Sequence, residues 1–307
     1  MRKPVKIGTR DSQLAVWQAS VVKDLLKEQD INSELVFINT DGDSDLITPL
    51  YEIGVQGIFT KSLDLALLNN RIDLAVHSMK DVPTQPAQGI RQAAVLKRGS
   101  FKDILVYKYQ DNFMNDRKSN AVIATSSIRR AAQWLHRYPL HKINNLRGNV
   151  NTRLKKIEEN DWSGGIFAAA GVERLGLRPE NSVELDWMLP APAQGAIMVV
   201  CREGENALFD SCNVFNDPIT ASCTKIERDF LRTLAGGCST PISALAESMY
   251  GKIIFRGNVC SPDGQKLSEV EIVFDGASPD AGSRAAQELL SKEGVQEILD
   301  KMHEKQD

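Results

Sequence analysis

The chain has 307 residues, with Lys plus Arg (37) nearly balancing Asp plus Glu (40) for a formal net charge of −3. Its 42% hydrophobic and 25% charged content excludes disordered and collagen-like sequence. The length predicts about two domains, and the charge balance excludes a global basic field for nucleic acid while allowing a local basic cleft.

From the first residues, Val5–Gly8 reads as a strand. It leads through Thr-Arg-Asp-Ser into a helix with Leu14, Trp17, Val21, Val22 and Leu25 on one side. Glu34–Asn39 reads as a second strand. Residues 40–60 are polar, dotted with glycine and too long for an ordinary connection, which predicts a mobile lid. Lys61–Asn70 reads as a helix, and Ile72–His77 as a buried strand entering Ser-Met-Lys-Asp-Val-Pro. After residue 100 the rhythm restarts. Ala121–Ala124 enters Thr-Ser-Ser and a helix from Ile128, and Lys142–Leu146 enters Arg-Gly-Asn and the helix Val150–Glu159. Gly165–Ala170 enters Gly-Val-Glu-Arg, and Ala196–Cys201 is one more apolar strand after LPAPAQG. From about 218 the grammar changes to a helix (Thr220–Leu234), strands flanking the turn Ser-Pro-Asp-Gly at 261–264, and two closing helices. The expected fold is therefore α/β in two halves, followed by a small α+β segment with an antiparallel sheet.

No apolar run approaches the roughly 18 residues of a membrane span, and MRKPVKIGTRDS has no apolar signal region, so no membrane association is expected. The five cysteines (201, 212, 223, 238 and 260) include no C-x-x-C, and the four histidines lack metal-ligand spacing. A reducing cytoplasm and no bound metal are the expectation.

In open α/β sheets, ligands bind beyond the carboxyl ends of strands. Those positions hold Arg10, Ser78, Lys80, Asp81, Thr125, Ser127, Arg129, Arg130, Arg147, Asn149, Arg153 and Arg174. Any one arginine there is readily explained as a solvated surface charge. Six arginines and a lysine after five strands point instead to one anion-binding cleft, since guanidinium forks match carboxylates bidentately. The chain contains neither G-x-x-x-x-G-K-[ST] nor G-x-G-x-x-G, so the anion reads as several carboxylates on one organic molecule rather than a nucleotide. Asp81 among the cations is either an ion-pair partner or cap, or a group that stabilises a transient organic cation. Cys201 and Cys260 end apolar strands and read as core residues. Cys238 follows Gly236-Gly237 in a loop, which suits either an inert thiol or a covalent attachment point.

The segments GTRDSQLAVWQA, DLAVHSMKDVP, ATSSIRRAAQ, LRGNVNTRL, AAAGVERLGL, PAPAQGAI and ERDFLRTLAGGCSTPI occur in this order along nearly the whole chain. In them the sequence resembles the porphobilinogen deaminase (hydroxymethylbilane synthase) family. The resemblance implies two periplasmic-binding-protein-like (type II) α/β domains, 1–98 with 200–216 and the inserted 99–199, plus a third α+β domain, 217–307. It implies a dipyrromethane cofactor joined by a thioether to Cys238, with Ser78, Lys80, Asp81, Thr125, Ser127, Arg129 and Arg130 as cofactor ligands. Asp81 would stabilise the azafulvene-type cation left when ammonia departs. Arg10, Ser12, Lys61, Arg147, Arg153, Arg174 and Gln194 would line the porphobilinogen site. The implied enzyme is a cytoplasmic monomer that joins four porphobilinogens into hydroxymethylbilane. Two positions depart from the family pattern: Gly54-Val55-Gln56-Gly57 replaces the common Gly-Gly-Lys-Gly, and Ala193-Gln194-Gly195 replaces Gly-Gln-Gly. Two other functions compete. A non-catalytic two-lobed polyanion-binding module would leave Cys238 idle. A thiol acyl transferase would need a histidine base, for which only His77 offers itself, at a position that favours a packed side chain.

Overall fold

The computed structural model describes residues 3–39, 60–237 and 240–303, with side chains to residue 300. The lid expected over 40–60 lies, except for Thr60, outside the described residues, and so does Cys238. The described residues cluster into two compact units, one comprising 3–39, 60–99 and 195–222, the other 100–194, 223–237 and 240–303.

The first unit begins with β1 (Val5–Thr9), α1 (Gln13–Lys27) and β2 (Ser33–Phe37), followed by α2 (Lys61–Leu68), β3 (Leu74–Ser78) and β4 (Ile90–Val95). Ser12 caps α1 by accepting from the Ala15 amide, and Lys27 complements the helix dipole in the last turn. The buried face of α1 is Gln18, Ala19, Val22 and Leu26, with Val21 and Leu25 at its edge. Trp17 is 38% exposed, a correction to the expected stripe. The inward face centres one position further along, because Gln18 is drawn inside by a hydrogen bond to Ser78. Burial of Val22 and Leu26 contributes about 1.5–3 kcal/mol each.

The second unit opens with β5 (Asp103–Tyr107), β6 (Val122–Ala124), α3 (Ile128–Arg137), β7 (Lys142–Asn144), α4 (Val150–Glu159), β8 (Gly164–Ala168), α5 (Ala169–Glu173) and β9 (Ser182–Glu184). Its sheet order is β7-β6-β8-β5-β9. The chain then returns to the first unit as β10 (Ile197–Arg202), giving the order β2-β1-β3-β10-β4. The two five-stranded sheets share one scheme. Three parallel strands are followed by a strand, β10 or β5, that runs antiparallel to both its neighbours.

After α6 (Asn206–Asn213) and α7 (Pro218–Thr233) come β11 (Ile242–Met249), β12 (Lys252–Cys260) and β13 (Leu267–Phe274), an antiparallel three-stranded sheet. The Gly264 amide donates to the Ser261 carbonyl and closes the β12–β13 turn at the Ser-Pro-Asp-Gly sequence. The helices α8 (Ala281–Leu290) and α9 (Val295–His303) complete this segment. Phe230, Phe255, Ala285 and Leu289 belong to its apolar core. A Cβ on Gly282 would stand 2.2 Å from the Ile226 carbonyl oxygen, so only glycine lets α8 approach α7 this closely. The mixed α/β halves and the antiparallel third sheet agree with the expected fold class.

Candidate functional site

In the first unit, β1 and β3 are parallel neighbours, so their carboxyl ends lie side by side. Arg10 follows β1, Ser12 caps α1, and Ser78 ends β3. Lys80 and Asp81 occupy a single 3-10 turn, Met79–Asp81. Met79 is buried and its amide donates to the Ala196 carbonyl, while Lys80 and Asp81 remain partly exposed. Ser78 Oγ lies 2.9 Å from Nε2 of Gln18 and 3.2 Å from its Oε1. Gln18 is a site neighbour that pattern reading missed; its signal is a polar residue on the inward face of an amphipathic helix. Lys61 is exposed at the start of α2 rather than at a strand end. His77 is 6% exposed, and burial, helped by the charge of Arg10, holds its pKa down at about 4. It is a packed, neutral imidazole and a weak base, which disfavours the acyl-transferase reading.

In the second unit, β7, β6 and β8 are adjacent and parallel, and their carboxyl ends form one edge. Thr125 follows β6, and its Oγ1 accepts from the Ser127 amide at 3.2 Å. Ser127 caps α3 by accepting from the Arg130 amide, placing Arg129 and Arg130 in the first turn. Arg147 follows β7 and is buried. Asn149 caps α4 through the Thr152 amide, and Arg153 Nε donates to the Gly148 carbonyl at 2.7 Å. Arg174 caps the C-terminus of α5, where burial lowers its pKa against the opposing charge of Glu173.

The guanidiniums of Arg129 and Arg130 have a protein partner that no pattern announced. Asp103, the first residue of β5, is fully buried. Arg129 Nη2 lies 2.6 Å from its Oδ2, and Arg130 Nε and Nη2 lie 3.0 and 2.7 Å from its Oδ1. Arg130 Nη1 donates to the Ile166 carbonyl and Arg129 Nη1 to that of Leu189. Arg129 Nε is buried without a hydrogen-bond partner. Burial pushes the Asp103 carboxyl upward, but the two guanidiniums outweigh it and hold the pKa at about 2. Gln194, 1% exposed, joins the cluster by donating Nε2 to Asp103 Oδ1 at 2.9 Å and to the Phe101 carbonyl at 2.8 Å. Just before it, Ala193 adopts φ 62°, and its amide donates to the buried Glu227 carboxylate. The four described cysteines are all buried. Burial raises Cys212 and Cys260 to about 12, which makes them inert core thiols.

Each of the two α/β sheets thus carries guanidiniums and hydroxyls at its strand ends, and the first carries one turn carboxylate as well. Family comparison gives the class of protein. Residues 5–210 match the model described as "Porphobilinogen deaminase, dipyromethane cofactor binding domain", and residues 221–291 match "Porphobilinogen deaminase, C-terminal domain". The porphobilinogen deaminase of Chlorobium phaeobacteroides is 39% identical over 97% of this chain and 98% of its own length. That of Desulfitobacterium hafniense is 40% identical over 96% of each. Among solved structures, the probable amino-acid ABC transporter extracellular-binding protein ytmK of Bacillus subtilis superposes with a TM-score of 0.42 at 13% identity, covering 70% of this chain and 91% of that one. The chain belongs to the porphobilinogen deaminase family, whose members are transferases of tetrapyrrole assembly that use a dipyrromethane cofactor. Among the described residues no helix is long and apolar enough to cross a membrane.

Proposed function

We propose that Asp81 is the catalytic carboxylate with which this chain deaminates porphobilinogen and couples four such units into hydroxymethylbilane. The observation that carries this reading is the placement of Asp81 in a short turn after β3, with Lys80, Ser78 and Arg10 as its strand-end companions. Loss of ammonia from an aminomethyl pyrrole leaves positive charge on the ring. A carboxylate fixed beside the pyrrole N–H accepts its hydrogen bond and stabilises that charge as it develops.

The donor set suits a dipyrromethane bearing acidic side chains, because its members are guanidiniums, an ammonium and hydroxyls. Arg129 Nε in addition is a buried donor with no bond of its own. Cys238 would hold the group, with Ser78, Lys80, Thr125, Ser127 and Arg129 bonding its carboxylates and Asp81 its pyrrole nitrogens. Arg130 would join Arg129 in bonding these carboxylates through the Nη hydrogens left over from its bonds to Asp103 and Ile166. When bound, the group supplies the primer to which pyrrole units are added. Arg10, Ser12, Lys61, Arg147, Arg153, Arg174 and Gln194 are assigned to the incoming and growing pyrrole chain. The chain would act as a cytoplasmic monomer with the three domains delimited above.

The test is an intact mass of the purified chain beside its Cys238→Ser variant. The parent is expected to carry the extra mass of two linked pyrroles, and the variant to fold without it, since an alkoxide is not available at neutral pH as a thiolate is. A fully active, adduct-free Cys238→Ser protein would end this reading.

A further inference from the structure

Arg129 is held by protein groups at two of its three guanidinium nitrogens. Nη2 bonds Asp103 and Nη1 donates to the Leu189 carbonyl at 2.6 Å, while Nε has no hydrogen-bond partner. A planar fork held at two corners turns once either corner gives way. The fixing of the Leu189 carbonyl therefore decides where the remaining N–H groups of Arg129 point.

Leu189 lies between β9 and β10, outside any strand or helix. Its backbone is held by Gln133, one helical turn after Arg129 on α3. Residues four apart share a helix face, so both side chains reach the same backbone segment. Gln133 Oε1 accepts from the Leu189 amide at 2.9 Å, and its Nε2 donates to the Leu189 carbonyl at 3.0 Å. A strand neighbour would bond Leu189 in the same reciprocal way. The Leu189 oxygen thus receives two donors from one helix, and Gln133 rather than Arg129 also holds the adjoining N–H. Gln133 is 5% exposed, and Nε2 donates in addition to Ser243 Oγ at 3.0 Å, which fixes the amide in one orientation.

We propose that Gln133 is a positioning residue, which by fixing the Leu189 carbonyl sets the direction of the Arg129 guanidinium and so its grip on a cofactor carboxylate. The effect on the cofactor rests on the assignment of Arg129 made above; the effect on Arg129 itself does not. Without Gln133 the Leu189 carbonyl would move together with the arginine, which would keep its charge and lose its direction.

The test uses the purified full chain with 15N-labelled arginine, read by NMR at the guanidinium nitrogens. Slow turning about the Nε–Cζ bond gives separate Nη1 and Nη2 resonances, and fast turning merges them. The parent should show a separate pair for Arg129, assigned by its loss in Arg129→Lys. In Gln133→Met, unbranched and of similar length, turning should quicken about tenfold or more and merge the pair. Gln133→Asn, the same amide one methylene short, should act alike and serves if the apolar variant does not fold. Ser243→Ala deletes the third bond, leaves both to Leu189, and should keep the pair separate with ammonia release unchanged. Ammonia release should fall about tenfold in Gln133→Met, yet no further when that change is added to Arg129→Lys. A pair that stays separate in both Gln133 variants, or a full additional loss in the double variant, would overturn the proposal. A merged pair in Gln133→Met beside undiminished ammonia release in Arg129→Lys would uphold the positioning and remove Arg129 from the cofactor site instead.

Discussion

Asp81 differs from the other strand-end side chains in sign, and that difference can be removed without changing shape. Asp81→Asn keeps the side-chain volume and a hydrogen-bonding oxygen while deleting the negative charge. If the carboxylate stabilises a developing pyrrolic cation, turnover should fall about 10²–10³-fold, the usual cost of losing one preorganised electrostatic partner. Because Asp81 is partly exposed in a turn, stability should change little. Steady-state ammonia release together with a thermal melt separates the two effects. Near-normal turnover would reduce Asp81 to an ion-pair partner of its neighbours. Gln18 is the complementary case, a residue with no chemistry of its own whose amide bonds the Ser78 hydroxyl through both ends.

The cluster at the start of β5 makes a prediction at the level of elements. Asp103 pairs with two guanidiniums from the first turn of α3 and also accepts from Gln194. Asp103→Asn would strand two buried cations, and breaking such a pair costs about 3–5 kcal/mol. The urea midpoint should fall accordingly. An unchanged midpoint would mean that water reaches these arginines. A second prediction concerns Ala193, which is buried in the left-handed region where glycine is the usual occupant. Ala193→Gly relieves backbone strain of about 1–2 kcal/mol but loses a buried methyl and stiffness in the unfolded chain, together of similar size. Its stability should stay within about 1 kcal/mol of the parent. Ala193→Val, β-branched at positive φ, should cost more than about 2 kcal/mol by the same urea measurement.

These elements also show what the sequence made legible. Strands that feed helices declared themselves through apolar runs ending in Thr-Ser-Ser or Arg-Gly-Asn, and α4 falls on the expected Val150–Glu159. The strand ends then indicated which arginines to consider, because a parallel sheet gathers its carboxyl ends on one edge. By contrast, β4 and β5 had no following helix to mark them, and β5 opens on an aspartate that looks like loop. The Asp103 pairing spans 26 residues to Arg129, and only three-dimensional proximity reveals that those arginines are half spoken for. The same holds for Asn258, an ordinary strand residue by pattern and an orphaned acceptor by environment.

For the whole molecule, His77 and Asp103 each make stability sensitive to acid. His77 has its pKa lowered from 6.5 to about 4, chiefly by burial. Between those values the unfolded chain takes up a proton that the folded chain refuses, so stability is full above about 6.5 and falls as pH drops toward 4. The loss over that window is about 3 kcal/mol. Asp103, lowered from 3.8 to about 2, adds a second loss below the first, beginning near 3.8 and ending near 2. Asp64, its carboxyl pushed up to about 6 by burial, works in the opposite sense between about 6 and 3.8, and the lowered pKa of His141 adds to the effect of His77. The His77 contribution is therefore read as a difference: in urea melts at intervals from pH 7 to pH 3, His77→Leu, which removes the titrating ring while keeping an apolar side chain in β3, should lose less stability than the parent between 6.5 and 4 and the same amount below. If the slope between pH 6.5 and 4 persists undiminished in His77→Leu, the proton is being taken up elsewhere and His77 is not the group that governs the neutral-to-acid limb.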